Sequence, residues 1–304
     1  MMSKMRSKMP EIAIFCYNRP THIERTLNSL YEIKDIYEYH ITVYSDGFNN
    51  SQDENDVLFV RKILQKFKKN KNIDIKERGS NFGLSGNIIS GVTETLQRNE
   101  SIIVLEDDVL VNFYFLEYMK SLINKYNQNK DVWHISAWSK GLEGHCNDIV
   151  FSNRMICSGG WATWSDRWDN FHRDVNVIDK LSKEELNNFD YNDQFGYLTQ
   201  LVNNKKLKIN TWAVYWALCI FRNKAFTIIP SRSFTQNIGF DGSGIHSGVQ
   251  PWMKSLDYNG KMPINFSDEV QIDEKVNRII EKKILKSYGA NIVDKLYFKL
   301  KNLV

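Results

Sequence analysis

The sequence Ile102-Ile103-Val104-Leu105-Glu106-Asp107-Asp108-Val109 joins four apolar residues to three consecutive carboxylates. Three of the four apolar residues are β-branched, which predicts a strand that is buried on both faces. Burying three unpaired carboxylates would be very costly, so we expect them at the carboxyl end of the strand, facing a crevice. There they would repel one another unless a positive group lies between them, and a hard divalent cation such as Mg²⁺ or Mn²⁺ suits oxygen ligands.

A simpler interpretation of the same carboxylates is an acidic turn between a strand and a helix. In that case Asp108 would only favour the positive N-terminal end of the next helix, and no metal would be needed. The sequence on either side of this stretch is needed to choose between the two interpretations.

Strand-like and helix-like segments alternate from residue 11 to residue 137. Strand-like runs begin near residues 11, 41, 73, 102 and 132, and amphipathic helix patterns lie between them. This alternation predicts an α/β fold with a parallel, doubly wound sheet. In such a sheet, ligands bind in the crevice outside the carboxyl ends of the strands.

Polar or glycine-rich segments follow four different predicted strands. They are Arg19, Asp46, the loop Gly79–Gly86 and the carboxylates Glu106–Asp108. Because the carboxyl ends of parallel strands meet at one edge of a sheet, we expect these four segments to line one crevice. This convergence favours the metal interpretation over the simple acidic turn.

The loop Gly79–Gly86 contains three glycines and leads into a predicted helix. Glycines let the backbone approach a ligand closely, and a helix N-terminus favours an anion, so Asn81, Gly83 and Asn87 are candidate ligand contacts. The two asparagines are equally consistent with ordinary loop and helix-start positions. The loop is not a phosphate-binding Walker loop, because no Gly-Lys-Ser/Thr follows.

The sequence pattern changes after residue 138. Ser158–Trp168 combines a glycine turn with three tryptophans, and Asn237–His246 is glycine-rich and ends in a histidine. No linker separates the halves, so we expect residues 138–262 to pack against residues 11–137 and to supply one wall of the crevice. Residues 263–304 form a basic tail with a helical pattern, which either lies on an anionic membrane surface or packs on the domain.

Composition bounds the class of protein. Hydrophobic residues make up 42% and charged residues 25% of the 304 residues, which is ordinary for a globular protein, and the net charge of +4 gives no argument for nucleic acid as a partner. The four cysteines form no Cys-x-x-Cys pair and no signal peptide is evident, so we expect free thiols in the cytoplasm. No apolar run approaches the roughly 20 residues of a membrane span.

Five motifs occur in one order: Cys16-Tyr-Asn-Arg-Pro20, Ser45-Asp-Gly47, Leu105-Glu-Asp-Asp108, Gly159-Gly-Trp-Ala-Thr-Trp164 and Asn237-Ile-Gly-Phe240. This order resembles that of bacterial glycosyltransferases of the family 2 type, which make capsule and lipopolysaccharide sugars. It is also similar to that of the Golgi N-acetylglucosaminyltransferase I family. The resemblance covers about residues 11–246 and implies a GT-A fold, with a mostly parallel Rossmann-like sheet flanked by helices and an acceptor-side subdomain at the C-terminal side.

The resemblance also implies an activity. It is metal-dependent, inverting transfer of a sugar from a nucleoside diphosphate donor, UDP-linked, to a hydroxyl group of a surface glycan or glycolipid. The implied partners are a nucleotide sugar and a glycan or lipid-linked oligosaccharide. A lipid-linked acceptor would give the basic tail a purpose, as a peripheral contact with the cytoplasmic face of the inner membrane.

The resemblance assigns roles to matching residues. Arg19 matches an arginine that contacts the nucleotide phosphates, and Asp46 matches an aspartate that accepts a hydrogen bond from the base. In the DXD-type motif Glu106–Asp108, the last aspartate binds Mn²⁺ or Mg²⁺ and the middle one binds the ribose or a water on the metal. His246 matches a histidine that completes metal or diphosphate binding, and Gly160–Trp161 matches the turn under the acceptor pocket.

The expected catalytic base is absent from its usual motif. Many bacterial relatives carry Trp-Asp-Tyr-Gln-Trp and the Golgi family carries Trp-Asp-Asp-Trp, whereas this chain has Trp212-Ala-Val-Tyr-Trp216. An inverting enzyme needs a carboxylate to deprotonate the acceptor hydroxyl. We therefore predict Asp166 as the base, with Asp193 and Asp241 as weaker candidates.

Two other functions stay open on the sequence alone. A nucleotidyltransferase also uses metal-bound carboxylates in an α/β sheet, but it usually carries a basic, glycine-rich loop after the first strand, where this chain has Tyr17–Pro20. A protein that binds sugar nucleotides without any chemistry would explain the alanine at position 213.

Overall fold

The computed structural model describes residues 9–139, 142, 148–153, 155–190, 196–241, 258–262, 264–266, 268–272, 274–275 and 278–279. Asp193, His246 and most of the predicted tail, residues 263–304, lie outside these ranges. Cys16, Cys157 and Cys219 carry free thiols, as predicted. Among the described helices, none is both long and apolar enough to cross a lipid bilayer.

Strands and helices alternate through the first half of the chain, as the sequence pattern predicted. The strands are β1 (Glu11–Cys16), β2 (Ile41–Ser45), β3 (Ile73–Glu77), β4 (Ser101–Glu106), β5 (Val109–Val111), β6 (Val132–Ser136), β7 (Ile149–Ser152), β8 (Trp161–Trp164), β9 (Phe226–Pro230) and β10 (Thr235–Asn237). The α-helices are α1 (Pro20–Tyr31), α2 (Ser51–Phe67), α3 (Gly83–Leu96), α4 (Phe115–Tyr126), α5 (Ser165–Trp168), α6 (Lys183–Phe189), α7 (Tyr197–Lys205) and α8 (Ala213–Arg222).

The central sheet has eight strands in the order β3-β2-β1-β4-β8-β6-β9-β7. Strands β3, β2, β1 and β4 pair in parallel, as do β6 and β9, whereas β8 and β7 run against their neighbours. A separate antiparallel pair joins β5 to β10. The predicted α/β fold with a mostly parallel sheet flanked by helices is therefore confirmed.

Strand β4 is buried on both faces, as its sequence predicted. Ile103 and Leu105 lie in a core that includes residues of α1, α2 and α4, and Ile102 and Val104 lie in a second core with α3 and α8. Successive residues of a strand point to opposite faces, so four apolar residues in a row serve both cores. The three carboxylates follow where this double burial ends.

The sequence pattern did not predict strand β8. It runs antiparallel between β4 and β6, with Val104 opposite Trp161 and Ile135 opposite Ala162. A strand from residues 138–262 is thus inserted into the sheet that residues 11–137 begin. Residues 11–137 and residues 138–262 therefore contribute strands to one sheet. The predicted boundary near residue 138 divides the sequence but does not divide the sheet.

The first residues of α1 and α2 determine where the two loops at the carboxyl edge of the sheet end. Pro20 begins α1, where its missing N–H costs no hydrogen bond and its fixed φ suits a helix. Asn50 caps α2, because its Oδ1 accepts hydrogen bonds from Gln52 N (2.8 Å) and Asp53 N (3.1 Å). The turns that follow β1 and β2 are therefore short and end at defined positions.

We expect one substitution to have opposite effects at two glycines of α3. A Cβ at Gly91 would lie 2.5 Å from Phe15 Cε1, whereas the nearest neighbour of a Cβ at Gly86 is Phe82 Cβ at 3.6 Å. Gly91→Ala should lower the free energy of unfolding by about 1–3 kcal/mol, because α3 must move away from the sheet. Gly86→Ala should raise it by up to about 1 kcal/mol, because alanine favours the helix. Chemical denaturation measures both, and equal effects would contradict the close packing of α3.

Candidate functional site

Two neighbouring parallel strands bring Arg19 to the three carboxylates. Strands β1 and β4 pair so that Phe15 lies opposite Glu106, and the turn after β1 then meets the residues after β4. Arg19 Nη1 donates to Asp108 Oδ2 at 2.9 Å, and Arg19 Nη2 donates to Asp107 Oδ1. Both aspartates are buried. The structure therefore brings together Arg19 and the acidic motif, as the strand order led us to expect.

The positive charge of Arg19 offsets the negative charges of Glu106, Asp107 and Asp108 only in part. Burial raises the pKa of Asp107 to about 6, although Arg19 opposes the shift. Burial, with the charges of Asp108 and Asp107, raises the pKa of Glu106 to about 8. Burial also disfavours the charge of Arg19, but Asp107 and Asp108 outweigh it and raise the pKa of Arg19 above its usual value. One guanidinium thus lies where the sequence suggested a divalent cation, facing three carboxyl groups.

The loop after β10 covers the ion pair between Arg19 and Asp108. Ile238 N donates to Asp108 O at 2.8 Å, and Gly239 N donates to Asn237 Oδ1 at 2.7 Å. A Cβ at Gly239 would overlap Asp108 Oδ2 and lie 2.9 Å from Arg19 Nη1. The motif Asn237-Ile-Gly-Phe240 therefore belongs to this site, and its glycine is required by the close approach of the backbone.

Asp46 anchors the glycine-rich loop at the end of β2. Its Oδ1 accepts hydrogen bonds from Gly47 N (2.9 Å) and Phe82 N (2.8 Å), and Asn81 Nδ2 donates to Gly47 O (2.7 Å). Burial raises the pKa of Asp46, although these backbone N–H groups oppose the shift. Gly83, with φ +67, begins α3 beside this carboxylate. Asp46, Asn81 and Gly83 thus lie at the same edge as Arg19.

Asn87 has a structural role in this arrangement. Its side chain is buried, its Oδ1 accepts from Arg78 Nε (3.1 Å) and its Nδ2 donates to Tyr44 O (3.2 Å). Both ends of the amide are therefore bonded within the protein. Of the two interpretations that the sequence left open, its environment favours the helix-start role over ligand contact.

Asp53 lies near the site, although no sequence motif indicated it. Its carboxylate accepts hydrogen bonds from Tyr17 Oη (2.8 Å) and Asn18 Nδ2 (3.1 Å), directly before Arg19 in the chain. From the sequence it is only an acidic residue at the start of a helix, which is a common and unremarkable pattern. The contact depends on the packing of α2 beside the turn after β1, which the local sequence pattern does not show.

Gly160 and Trp161 lie behind the acidic motif rather than on an open wall. Gly160 has φ +88, and a Cβ there would lie 2.8 Å from Thr235 Cγ2, so glycine is needed at this turn. Trp161 is fully buried and stacks on Trp212 and His134, with ring centroids 5.0 and 5.2 Å apart. In this structure its ring supports the site from beneath and offers no surface to an acceptor.

Asp166 is not brought to this site. Strand β8 runs against β4 with Trp164 opposite Ser101, so Asp166 follows β8 at the edge where β4 begins, opposite to the edge of Glu106. Its carboxylate pairs with Lys130 (2.7 Å) and Arg167 (2.6 Å), which lower its pKa although partial burial opposes them. The prediction that Asp166 is the base rested on its sequence position alone, and the antiparallel direction of β8 is the reason it fails to reach the carboxylates.

Asp241, a weaker candidate for the base, lies near the site. It follows the Gly239 loop, and its Oδ2 is 3.2 Å from Nε2 of His22 in the first turn of α1. Among the three carboxylates considered from the sequence, Asp241 is thus the one that the described structure places at the carboxyl edge.

The donor set at this edge suits a hard divalent cation. In the part of the chain that the structure describes, no three His, Cys, Asp or Glu side chains converge as a ready metal site. Asp107 and Asp108 nevertheless supply buried carboxylate oxygens, the ligand type that Mn²⁺ and Mg²⁺ prefer. Further ligands would have to come from a bound anion or from residues such as His246 outside the described ranges.

Comparison with known proteins places residues 11–135 in a family. They match the model described as glycosyl transferase family 2, so the resemblance to that family is confirmed for this part of the chain. No curated protein matches the chain by sequence.

The solved structures that are similar to the chain are distant in sequence. Residues 1–349 of TarS from S. aureus are 10% identical over 74% of this chain and 59% of that chain, with a TM-score of 0.44. GalNAc-T7 with UDP, GalNAc and Mn²⁺ is 11% identical over 81% and 47%, with a TM-score of 0.47. The mannosyltransferase PcManGT from Pyrobaculum calidifontis, in complex with GDP-Man and Mn²⁺, is 13% identical over 52% and 45%, with a TM-score of 0.37. The chain spans less than two thirds of the length of each.

The raised pKa of Glu106 predicts that this site weakens the fold as the pH rises. A carboxyl whose pKa is higher in the folded chain than in the unfolded chain loses stabilising free energy between those two pKa values, here from about pH 4.5 to about pH 8. Glu106→Gln should therefore raise the free energy of unfolding by about 1–3 kcal/mol at pH 8 and by much less at pH 5. Urea denaturation at both pH values measures this, with the exposed Glu117→Gln as the matched control. An equal effect of Glu106→Gln at the two pH values would contradict the electrostatics described.

Proposed function

We propose, on the premise that residues 11–135 are a glycosyl transferase family 2 domain, that the chain moves a sugar from a nucleoside diphosphate to a hydroxyl group of a glycan or lipid-linked acceptor. The observation that carries this proposal is the Arg19 guanidinium between Asp107 and Asp108 at the carboxyl edge of β1 and β4. Arginine binds phosphate oxygens in pairs, and carboxylates bind hard divalent cations. A diphosphate that binds with its cation needs both kinds of group in one place.

The donor would bind by exchanging partners with this ion pair. A diphosphate competes with Asp107 and Asp108 for the Arg19 guanidinium, and when Arg19 turns to the phosphates, the oxygens of both aspartates become free to hold Mn²⁺ or Mg²⁺. When bound, the cation would offset the negative charge of the departing diphosphate. Arg19 would stay on the phosphates and oppose the same charge from the side of α1.

The nucleobase would lie at the end of β2. Asp46 is the acidic residue there, and the resemblance gives it the role of accepting a hydrogen bond from the base, most simply from the N3–H of uracil. Asn81 and the positive-φ Gly83 border it, so backbone groups of the glycine-rich loop can approach the nucleoside closely. We therefore propose a UDP-sugar donor, with the base at Asp46 and the diphosphate at Arg19.

An inverting transfer also needs a general base that deprotonates the acceptor hydroxyl. Of the candidates, Asp241 lies at the edge of the donor site beside His22, and we propose it in preference to Asp166. The alanine at position 213 begins α8, at the position where the motifs of the families that the chain resembles carry an aspartate. This favours, as a second candidate function, a protein that binds sugar nucleotides without turnover.

Slow hydrolysis of the donor in the absence of acceptor tests the proposal. We would incubate the full chain with Mn²⁺ and a panel of UDP-, GDP-, CMP- and dTDP-sugars and measure the released nucleotide. We expect release from one donor, abolished by chelation. Asp108→Ala should lower the rate at least about 100-fold, since even the outer partners of metal ligands are worth 10–100-fold. Asp166→Ala is the matched control and should stay within about twofold, because Asp166 pairs with Lys130 and Arg167 at the opposite edge of the sheet.

Measurements of binding and of reaction products distinguish the alternatives. Binding of one donor without release, with and without candidate acceptors, would favour the binding protein. Release of pyrophosphate from a nucleoside triphosphate and a sugar phosphate would identify a nucleotidyltransferase. Unchanged release by Asp108→Ala would contradict the assignment of the cation to the acidic motif.

A further inference from the structure

Asp53 joins the two loops that border the proposed donor site. It lies in the first turn of α2, and each of its carboxylate oxygens accepts one hydrogen bond: Oδ2 from Tyr17 Oη at 2.8 Å and Oδ1 from Asn18 Nδ2 at 3.1 Å. Tyr17 Oη in turn accepts a hydrogen bond from Asn49 N at 3.1 Å. The turn after β1 and the loop after β2 are thus linked by three hydrogen bonds around one carboxylate.

The residues held by Asp53 lead directly to the acidic motif. Tyr17 N donates to Asp107 Oδ2 at 3.4 Å, and Arg19 follows two residues later with its guanidinium on Asp107 and Asp108. The turn after β1 is therefore bonded to Asp53 on one side and to the carboxylates of Asp107 and Asp108 on the other. If a donor draws Arg19 away from the carboxylates, the contacts to the carboxylates weaken and the contacts to Asp53 remain.

The contacts at Asp53 need a polar side chain that both neighbours can match. Two donors, a phenol and an amide N–H₂, face its two oxygens, and an alanine would offer neither oxygen. An asparagine could keep both contacts, because its oxygen can accept from Tyr17 Oη while its N–H₂ donates to Asn18 Oδ1 once the Asn18 amide turns over. Partial burial raises the pKa of Tyr17 to about 12, so the phenol keeps its proton and can donate to Asp53 while accepting from Asn49. A donor left without an acceptor in a half-buried setting loses a hydrogen bond and is poorly solvated.

We infer that Asp53 is a positioning residue for the nucleotide: by fixing Tyr17 and Asn18, it holds Arg19 at a set distance from Asp46, so that one site accepts both the diphosphate and the base. This inference rests on the proposed function, because it takes the bound molecule to be a nucleoside diphosphate. Asp53 is distinct from the residues that would touch the donor. Its removal should therefore weaken nucleotide binding while Arg19, Asp46 and the acidic motif are all still present.

Two substitutions that remove the same charge test this inference. Asp53→Ala removes both acceptor oxygens and should weaken UDP binding at least about tenfold, the equivalent of one lost hydrogen bond. Asp53→Asn removes the same charge but keeps both contacts, because its Oδ1 can accept from Tyr17 Oη and its N–H₂ can donate to the turned amide of Asn18. Asp53→Asn should therefore bind UDP within about twofold of the wild type.

The measurements are calorimetric binding of UDP with Mn²⁺ and thermal unfolding of each full-length variant. Asp56→Ala, on the exposed side of the same helix, makes the same charge change and should bind as the wild type does. If turnover is found, Asp53→Ala should raise the donor KM and leave kcat within about twofold, which a general loss of folded protein would not do.

The outcomes separate this inference from the proposed function. Weaker binding by Asp53→Ala, with binding by Asp53→Asn close to that of the wild type, would support the positioning role. Binding by Asp53→Ala equal to that of the wild type would overturn it and leave the donor site intact. Equal weakening by Asp53→Ala and Asp53→Asn would overturn it in favour of an effect of the lost charge. Absence of nucleotide binding by the wild type across UDP, GDP, CMP and dTDP would instead overturn the proposed function itself.

Discussion

The contact between Arg19 and the paired carboxylates of Asp107 and Asp108 is the constraint around which this edge of the molecule is arranged. It exists because β1 and β4 are parallel neighbours, which brings the turn after one strand to the residues after the other. It is closed from above by the backbone at Gly239, where any side chain would collide with the pair. Thr26 Oγ1 adds a hydrogen bond to Asp107 O at 2.6 Å, which ties the acidic motif to α1.

The same contact explains why the site is electrostatically poised. Three carboxyl groups share one guanidinium in a buried setting, so the pKa values of Glu106 and Asp107 rise to about 8 and about 6. The fold tolerates this because the two apolar cores on either side of the sheet hold β1 and β4 in place independently of the charges. The unbalanced charge lowers the stability of the free protein. It favours the binding of a ligand that brings both an anion and a cation, because the fold already orients a group of opposite charge for each.

The sequence predicted the parts of this structure that depend on local pattern. Ile102–Leu105 predicted a strand buried on both faces, and the rule that parallel strands share a carboxyl edge was enough to group Arg19, Asp46 and the acidic motif. What it missed depends on contacts between distant segments. Strand β8 has only four residues and joins the sheet through partners about 60 and 26 residues earlier in the chain. The direction in which it runs decides that Asp166 lies at the far edge, and periodicity contains no information on direction.

The burial of Trp161 and the role of Asp53 were not predicted from the sequence, because they too depend on contacts between distant segments. A tryptophan beside a glycine turn can line a pocket or stack beneath it, and the rings of Trp212 and His134 that decide the matter come from other elements. Asp53 is an acidic residue in the first turn of a helix, which already has an adequate local explanation. Only its two hydrogen bonds to the turn after β1 distinguish it from other residues of that kind.

We expect Arg19 and a divalent cation to compete for the same carboxylates, so that nucleotide and cation bind together. Titration of Mn²⁺ into the protein with and without saturating UDP, with free Mn²⁺ followed by electron paramagnetic resonance, measures this competition. UDP should tighten Mn²⁺ binding at least about tenfold in the wild type, within the usual range for coupled ligands. Arg19→Gln should bind Mn²⁺ more tightly than the wild type without UDP and gain less from its addition. Equal Mn²⁺ affinity with and without UDP in the wild type, or no change on Arg19→Gln, would show that the two do not compete.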